Sequence, residues 1–345
     1  FNWLQKQLFN NKINLRFHDI QIGENQPPAN MLNSKEFEIS TSGLAAESKN
    51  GMYSFTTDSL IYNSAMHQVS LKNIAIKPVV ERTQFPLQTG FQTDVAEAQI
   101  AYIELRDIDE RKWLQENILD AGRLEIGPAE FSIFRNKRFP FDPEQRPAWP
   151  QDLIKELKQS FMFDSVLLMP SHIRYSELMG ISDEPGYIEF NDLTFAGGAL
   201  SNIGNEIKRN GHFNLNAKAS LMNHAQLGVQ FTFDLLCPDY SHSATGTLEP
   251  MPLYPLNSMI TKTDPLKIED GYLNRLEFDL SFNNTQATGQ LYLGYNNLKI
   301  AVLDFSGDEI QKDRFASFLA NRLVIQSQNP KSGELVPVEI SYPRD

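Results

Sequence analysis

Six histidines lie at positions 18, 67, 172, 212, 224 and 242. None falls in a spacing such as H-E-x-x-H, which sets two zinc ligands on one helical face. Cys237 and His242 are close in CPDYSHS, near enough to raise the chemistry of an activated thiol. That chemistry also needs an orienting third group and a defined elbow. Neither is written nearby, and the segment reads as a half-buried thiol before a proline turn. Asp107, Asp109 and Glu110, and Asp183 with Glu184, have the composition of acid/base or calcium pairs. Each group falls at a helix start or a turn, where acidic side chains are favoured anyway. Gly197 and Gly198 in FAGGALSNIGN lack phosphate-loop spacing, have no convincing helix after them, and read as a loop or bulge. No set of acid, base and nucleophile assembles, so the expectation is a protein that is not an enzyme and uses no cofactor or metal.

Two other patterns suit binding. In FSIFRNKRFPF, Arg135, Lys137 and Arg138 interleave with Phe131, Phe134, Phe139 and Phe141, a cationic and aromatic mixture fit for a membrane surface or an anionic headgroup. A solvated basic loop beside a strand is the plainer alternative. In LEFDLSFNNTQATGQLYLGYNNLKI, Leu276, Phe278, Leu280 and Phe282 alternate with Glu277, Asp279, Ser281 and Asn283, which predicts a strand with one apolar face. That face meets either a second layer of the same protein or a greasy ligand.

Strands dominate the elements that would position these residues. RFHDIQI, EFEIS, MYSFTTDSLIY and HQVSLKNIAIKPV are β-branched and aromatic runs punctuated by Asn, Gly and Pro. From Asp164 onward the chain reads as a long meander. In GHFNLNAKASLM and LGVQFTFDLL, Phe213, Leu215, Val229, Phe231 and Phe233 share one face of their strands and polar residues the other. A strand, an Asn or Asp pause and a further strand recur in SLKNIAI, IEFNDLTF and YNNLKIAVL, a rhythm suited to successive hairpins. Helical spacing predicts helices near 109–121, 151–163 and 308–322, the last carrying Ile310, Phe318, Leu319 and Leu323, and a helical turn in MPLYPLNSMI crossing an end of the sheet. Prolines 140, 143, 147 and 150 mark the best internal boundary. It divides a β-rich segment 1–140 from a segment 141–345, unless both form one continuous elongated sheet. The predicted fold is mainly β with a few helices, an elongated, twisted antiparallel sheet forming a groove or open half-barrel capped by short helices.

Composition narrows the partners. The chain of 345 residues carries 31 basic and 43 acidic side chains, a net charge of −12, which disfavours a nucleic-acid partner. The single cysteine, Cys237, excludes an internal disulfide framework. No run approaches the roughly 20 apolar residues that span a bilayer, so any membrane anchor is expected outside this sequence.

The ordered series PLNSMI, LKIEDGYLNRLEFDLSF and ATGQLYLGYNNLKIAVL resembles the C-terminal part of AsmA-like envelope proteins of Gram-negative bacteria, related to TamB-like and domain-of-unknown-function 748 proteins. Gly271, Leu273 and Leu276 fit one strand pattern of that family; Gly289, Leu291, Leu293, Tyr295, Leu298 and Ile300 fit a second. YSFTTDSLIYNSAMHQVSLKNIAIKP and GYIEFNDLTFAGGALSN look like versions from the Bacteroidetes. The resemblance implies a membrane-anchored periplasmic protein whose curved sheet shields phospholipid acyl chains, with no catalytic residues. On that expectation the groove would be lined by Phe213, Leu215, Val229, Phe231, Phe233, Phe278, Leu280, Phe282, Leu291 and Leu293, with Arg135, Lys137 and Arg138 at a headgroup or membrane surface. The alternative is a non-catalytic module that assists envelope protein assembly by offering a strand edge or polar face to a protein partner.

Overall fold

The computed structural model describes residues 4–5, 13–22, 32–142, 149–303 and 326–343. The helix expected near 308–322 lies outside the described residues. The N-terminal runs form β1 (Leu4–Gln5), β2 (Ile13–Ile22), β3 (Leu32–Ser48), β4 (Tyr53–Asn63), β5 (Gln68–Pro78) and β6 (Asp94–Ile108). From β2 to β6 each pairs antiparallel with the next, and β1 pairs with β3. β7 (Ile118–Ile126) and β8 (Ala129–Asn136) are not a hairpin. Both lie antiparallel to β6 and parallel to β9 (Ser160–Leu178), two pieces of a single strand broken at Gly127 and Pro128. Pro128 has no N–H to give a ladder.

β10 (Gly186–Gly197), β11 (Leu200–Ser201), β12 (Phe213–Leu221), β13 (Ala225–Phe233), β14 (His242–Leu248), β15 (Met251–Pro252), β16 (Leu266–Phe282), β17 (Gln286–Val302) and β18 (Val338–Pro343) complete an 18-stranded sheet. These pairings are all antiparallel. The protein is mainly β, and its sheet departs from the antiparallel expectation only at β9. The connection from β8 returns the chain to the end where β7 began, so β9 runs parallel to both. No register joins β18 to β1 or β2 among the described residues.

Among the described residues five short helices sit at strand ends: α1 (Phe85–Thr89), α2 (Glu110–Glu116), α3 (Pro150–Glu156), α4 (Gly204–Asn210) and α5 (Asn257–Thr263). Two are shorter than their spacing predicts. Asp109 caps α2 by accepting from Arg111 and Lys112 backbone N–H, and Asn117 ends it at φ 57°, so Ile118 onward is strand. α3 ends before Leu157, and Phe161 belongs to β9, where it pairs with β7 instead of extending a helical stripe. α4 comes after the Gly197–Gly198 segment, where no helix is expected from the sequence. The turn expected in MPLYPLNSMI is present as a 3-10 turn, Tyr254–Leu256, running into α5. Among the described residues no helix is long and apolar enough to cross a membrane.

α5 fills a notch. β12, β13 and β14 are shorter than their neighbours, and beyond their ends α5 packs on β9, β10 and β16. Asn257 holds it there: its Nδ2 donates to the Ile268 carbonyl at 2.7 Å and its Oδ1 accepts from the Ile268 N–H at 2.8 Å. Gly186 allows the approach, because a Cβ there would stand 2.8 Å from the Met259 carbonyl oxygen.

The Asn and Asp pauses lie within strands, not between them. Asn73, Asp192 and Asn297 have φ of 51°, 50° and 53° inside β5, β10 and β17. Asn and Asp tolerate this left-handed conformation better than other side chains, so each strand carries one extra residue and continues. At the level of Asn73, β3 has Gly43 at φ 67°, β7 and β8 break at Gly127, β9 has Pro170, and β10 shifts register between Asn191 and Thr194. These irregularities cross the sheet as one line, and the extra residues bend it there.

Gly246 shows how tightly one face is filled: a Cβ at this position would stand 2.3 Å from the Phe278 ring. Gly246→Val is expected to lower stability by about 1–3 kcal/mol through overpacking. Urea unfolding would read this as an earlier midpoint, partly restored by adding Phe278→Leu.

Candidate functional site

Residues opposite one another in a sheet share a face, so the registers trace which side chains line up across strands. One row runs Ile13, Thr41, Leu60, Leu71, Ile103, Ile126, Leu168, Phe195, Ala217, Val229, Gly246, Phe278, Leu291, Val338. It crosses fourteen strands, and thirteen of its members are apolar or glycine. At about 4.8 Å per strand this row is on the order of 60 Å long, measured along the sheet. The next row on the same face holds Leu15, Ile39, Tyr62, Val69, Leu105, Leu124 and Val166, then Leu215, Phe231, Ala244 and Leu280. The residues between these rows point the other way and include Ser70, Glu104, Asn216, Gln230, Thr245, Asp279 and Gln290.

The bend does not interrupt this face. Beyond it the apolar row resumes as Phe55, Ile76, Ala98, Phe131, Ile173, Phe190 and Leu221. Phe55, Ile76 and Phe131 pack in one cluster with Leu71, Ile103 and Ile126 from before the bend. The apolar face is thus continuous on both sides.

Burial separates floor from core. In the fourteen-strand row only Leu168 is fully buried; Ile13 and Val338 at the two ends are exposed, and the others are half-buried. Residues sealed against a second layer would be fully buried along the row. The candidates Val229, Phe278 and Leu291 belong to this half-buried row, and Leu215, Phe231 and Leu280 to the adjacent one. Phe213 and Phe233 are core: they are 7% and 8% exposed, packed with Ile207 of α4 and with Ile154 and Leu157. Phe282 ends an aromatic row in which Phe213, Phe233, His242 and Phe282 stack at 6.0, 5.6 and 5.0 Å, with Trp149 edge-on to His242 at 4.4 Å. Leu293 packs with Met251, Leu273 and Leu276.

Sequence reading missed the lining on the N-terminal side, Leu60, Leu71, Ile103, Ile126 and Phe195. The signal is present as alternation within each strand, but in β5 and β10 the extra residue at Asn73 and at Asp192 reverses which positions are apolar.

The three basic candidates do form part of one rim, yet each has a partner. Phe131, Ile133 and Arg135 alternate onto the apolar side of β8, and Arg135 lies between Asp94 of β6 and Glu177 of β9. Its Nε donates to Asp94 Oδ1 at 2.7 Å, and Nη2 also binds this carboxylate. The pairing with Asp94 raises the Arg135 pKa despite the opposing effect of burial. Lys137 Nζ is 2.7 Å from Glu177 Oε1, which also accepts from Tyr175 at 2.6 Å. Burial first, and then Glu177, push the Tyr175 hydroxyl pKa up. Arg138 donates to the Met179 and Ser182 carbonyls at 3.1 and 2.7 Å and to Asp183 at 3.1 Å. The cations are tied to neighbouring strands and turns instead of forming an unpaired patch.

The carboxylates of interest are similarly engaged. Glu110 accepts from Tyr62 at 2.9 Å and pairs with His67 Nδ1 at 2.7 Å. Burial raises the Glu110 pKa, but its own backbone N–H, His67 and Tyr62 outweigh this and leave it below the ordinary value. Cys237 Sγ contacts Asp239 at 2.7 Å, while His242 Nδ1 faces the Tyr240 carbonyl at 2.9 Å, so the two form no nucleophile pair. Among the described residues no three His, Cys, Asp or Glu side chains converge on a metal position. The chain matches no protein-family model and no curated protein.

Removing the Arg135 guanidinium leaves Asp94 and Glu177 facing each other without it. Arg135→Ala is expected to cost about 1 kcal/mol, discounted because both partners touch solvent. A double-mutant cycle with Asp94→Ala, read by urea unfolding, would measure the coupling. A shift in lipid affinity at unchanged stability would instead mark Arg135 as a headgroup residue.

Proposed function

We propose that this protein holds lipid acyl chains along the apolar face of its sheet, as a periplasmic segment of an AsmA-like envelope protein. The observation that carries the reading is the fourteen-strand row whose members between its two ends, Leu168 apart, stay half-buried. Such a floor gains about 0.8 kcal/mol for each methylene it covers. The opposite face presents mostly polar side chains, so the protein remains wetted on one side while shielding a chain on the other. The mechanism is passive: no bond is made or broken, and a lipid moves by exchanging one apolar contact for the next along the row. The likeness of PLNSMI, LKIEDGYLNRLEFDLSF and ATGQLYLGYNNLKIAVL to AsmA-like strands supports the family, lipid and compartment parts of this proposal.

A second reading as a protein-interaction module rests on the sheet's edges. Ile13, Leu15 and Phe17 of β2 are 69%, 57% and 47% exposed, and Val338 and Tyr342 of β18 are 51% and 67% exposed. An added strand could cover either edge.

The two-residue alternation gives the decisive test. Photoreactive phenylalanine analogues at 229, 231, 278 and 291 are expected to crosslink to phospholipid when the protein is purified from a Gram-negative host. The same analogues at 230, 245 and 279 are expected to stay unlinked. Crosslinks without this alternation, or protein free of lipid after organic extraction, would sink the lipid reading; a stoichiometric protein crosslink at Phe17 or Tyr342 would favour the second.

A further inference from the structure

We infer that Lys49 is the headgroup anchor of the apolar face, selecting an anionic phospholipid whose chain enters the floor beside Tyr53. This rests on the lipid reading above and specifies which lipid and which end. The turn between β3 and β4 opens a cleft of about 470 Å³ lined by Ser48, Lys49, Asn50, Tyr53, Ile76 and Ala96. Its lining is predominantly apolar. The cleft is continuous with the floor: Ile76 stands opposite Ala98 in the row beyond the bend, and Tyr53 and Ala96 are each two residues from members of that row, Phe55 and Ala98.

The polar groups at its mouth have one sign of hydrogen bonding to offer. Lys49 is exposed and makes no ion pair or side-chain hydrogen bond among the described residues. Asn50 uses its Oδ1 to accept from Ser48 Oγ at 2.7 Å and from the Met52 N–H at 3.1 Å. Its amide Nδ2, a donor, has no acceptor among the described residues. The Tyr53 hydroxyl accepts from the Ala96 N–H at 3.1 Å, and the Tyr53 ring packs on Phe85 at 5.4 Å, which fixes the cleft wall. An ammonium and an amide donor at the entrance of an apolar cleft complement a phosphate oxygen joined to an acyl chain. Along the same margin Arg135, Lys137 and Arg138 are neutralised by Asp94, Glu177 and Asp183. Lys49 lines the cleft as a cation with no carboxylate partner among the described residues.

The test uses vesicles of phosphatidylcholine alone and of phosphatidylcholine with phosphatidylglycerol, both carrying a fluorescent acyl chain. The intact chain is expected to extract the phosphatidylglycerol label with about five-fold preference, the effect of roughly one lysine at an anionic lipid surface. Lys49→Glu should erase that preference. Lys267→Glu, the same charge change on β16, should retain it. Equal extraction of the two lipids by the parent, or preference surviving in Lys49→Glu, would overturn the anchor and leave the acyl-chain floor standing. Extraction of neither lipid would overturn the floor itself, and the anchor with it.

Discussion

The structure depends on keeping apolar side chains in register across strands several of which reverse their alternation part-way along. Side chains in a strand change face every residue, so a single uncompensated slip would turn an entire strand's apolar set outward. From β3 to β10 the slips occur together. Gly43 in β3, Asn73 in β5, the Gly127 break, Pro170 in β9 and Asp192 in β10 lie at one level, and the pairing between β4, β5 and β6 passes through it without a shift. The apolar face therefore crosses the bend with Leu71, Ile103 and Ile126 packed beside Ile76 and Phe131.

The helices determine how much of that face closes. Ile154, Leu157 and Ile207 seal Phe213 and Phe233 into a core at one margin. α5 stands where β12, β13 and β14 stop, replacing missing strand with helix between β10 and β16. Between these covers the floor residues keep partial exposure. The same protein thus has sealed clusters that supply stability beside a half-buried apolar band.

The extent of this band is only partly legible in the sequence. Phe278, Leu280, Phe231 and Val229 announce themselves because β13 and the C-terminal half of β16 alternate without interruption. Leu71 and Phe195 do not, because an Asn or Asp at positive φ resets the period and resembles a turn between two short strands. The helix expected near 109–121 is overextended for a related reason: Ile118 fits a helical stripe locally, but Asn117 closes the helix, and β6 and β9 offer ladder partners to the residues of β7. The basic cluster at Arg135, Lys137 and Arg138 looks available in sequence, since its partners Asp94, Glu177 and Asp183 are about 40 residues away along the chain.

The sequence by itself determined that this protein is mainly β and that its strands have an apolar and a polar side, because residue type and local period carry that information. Only the tertiary structure decided that β7 and β8 are one broken strand, that Phe213 is core while Phe278 is floor, and that Arg135 is paired while Lys49 has no carboxylate partner among the described residues. Each of those distinctions depends on what stands across from a residue in the neighbouring strand. Local sequence sets which way a side chain points; the sheet sets what it meets.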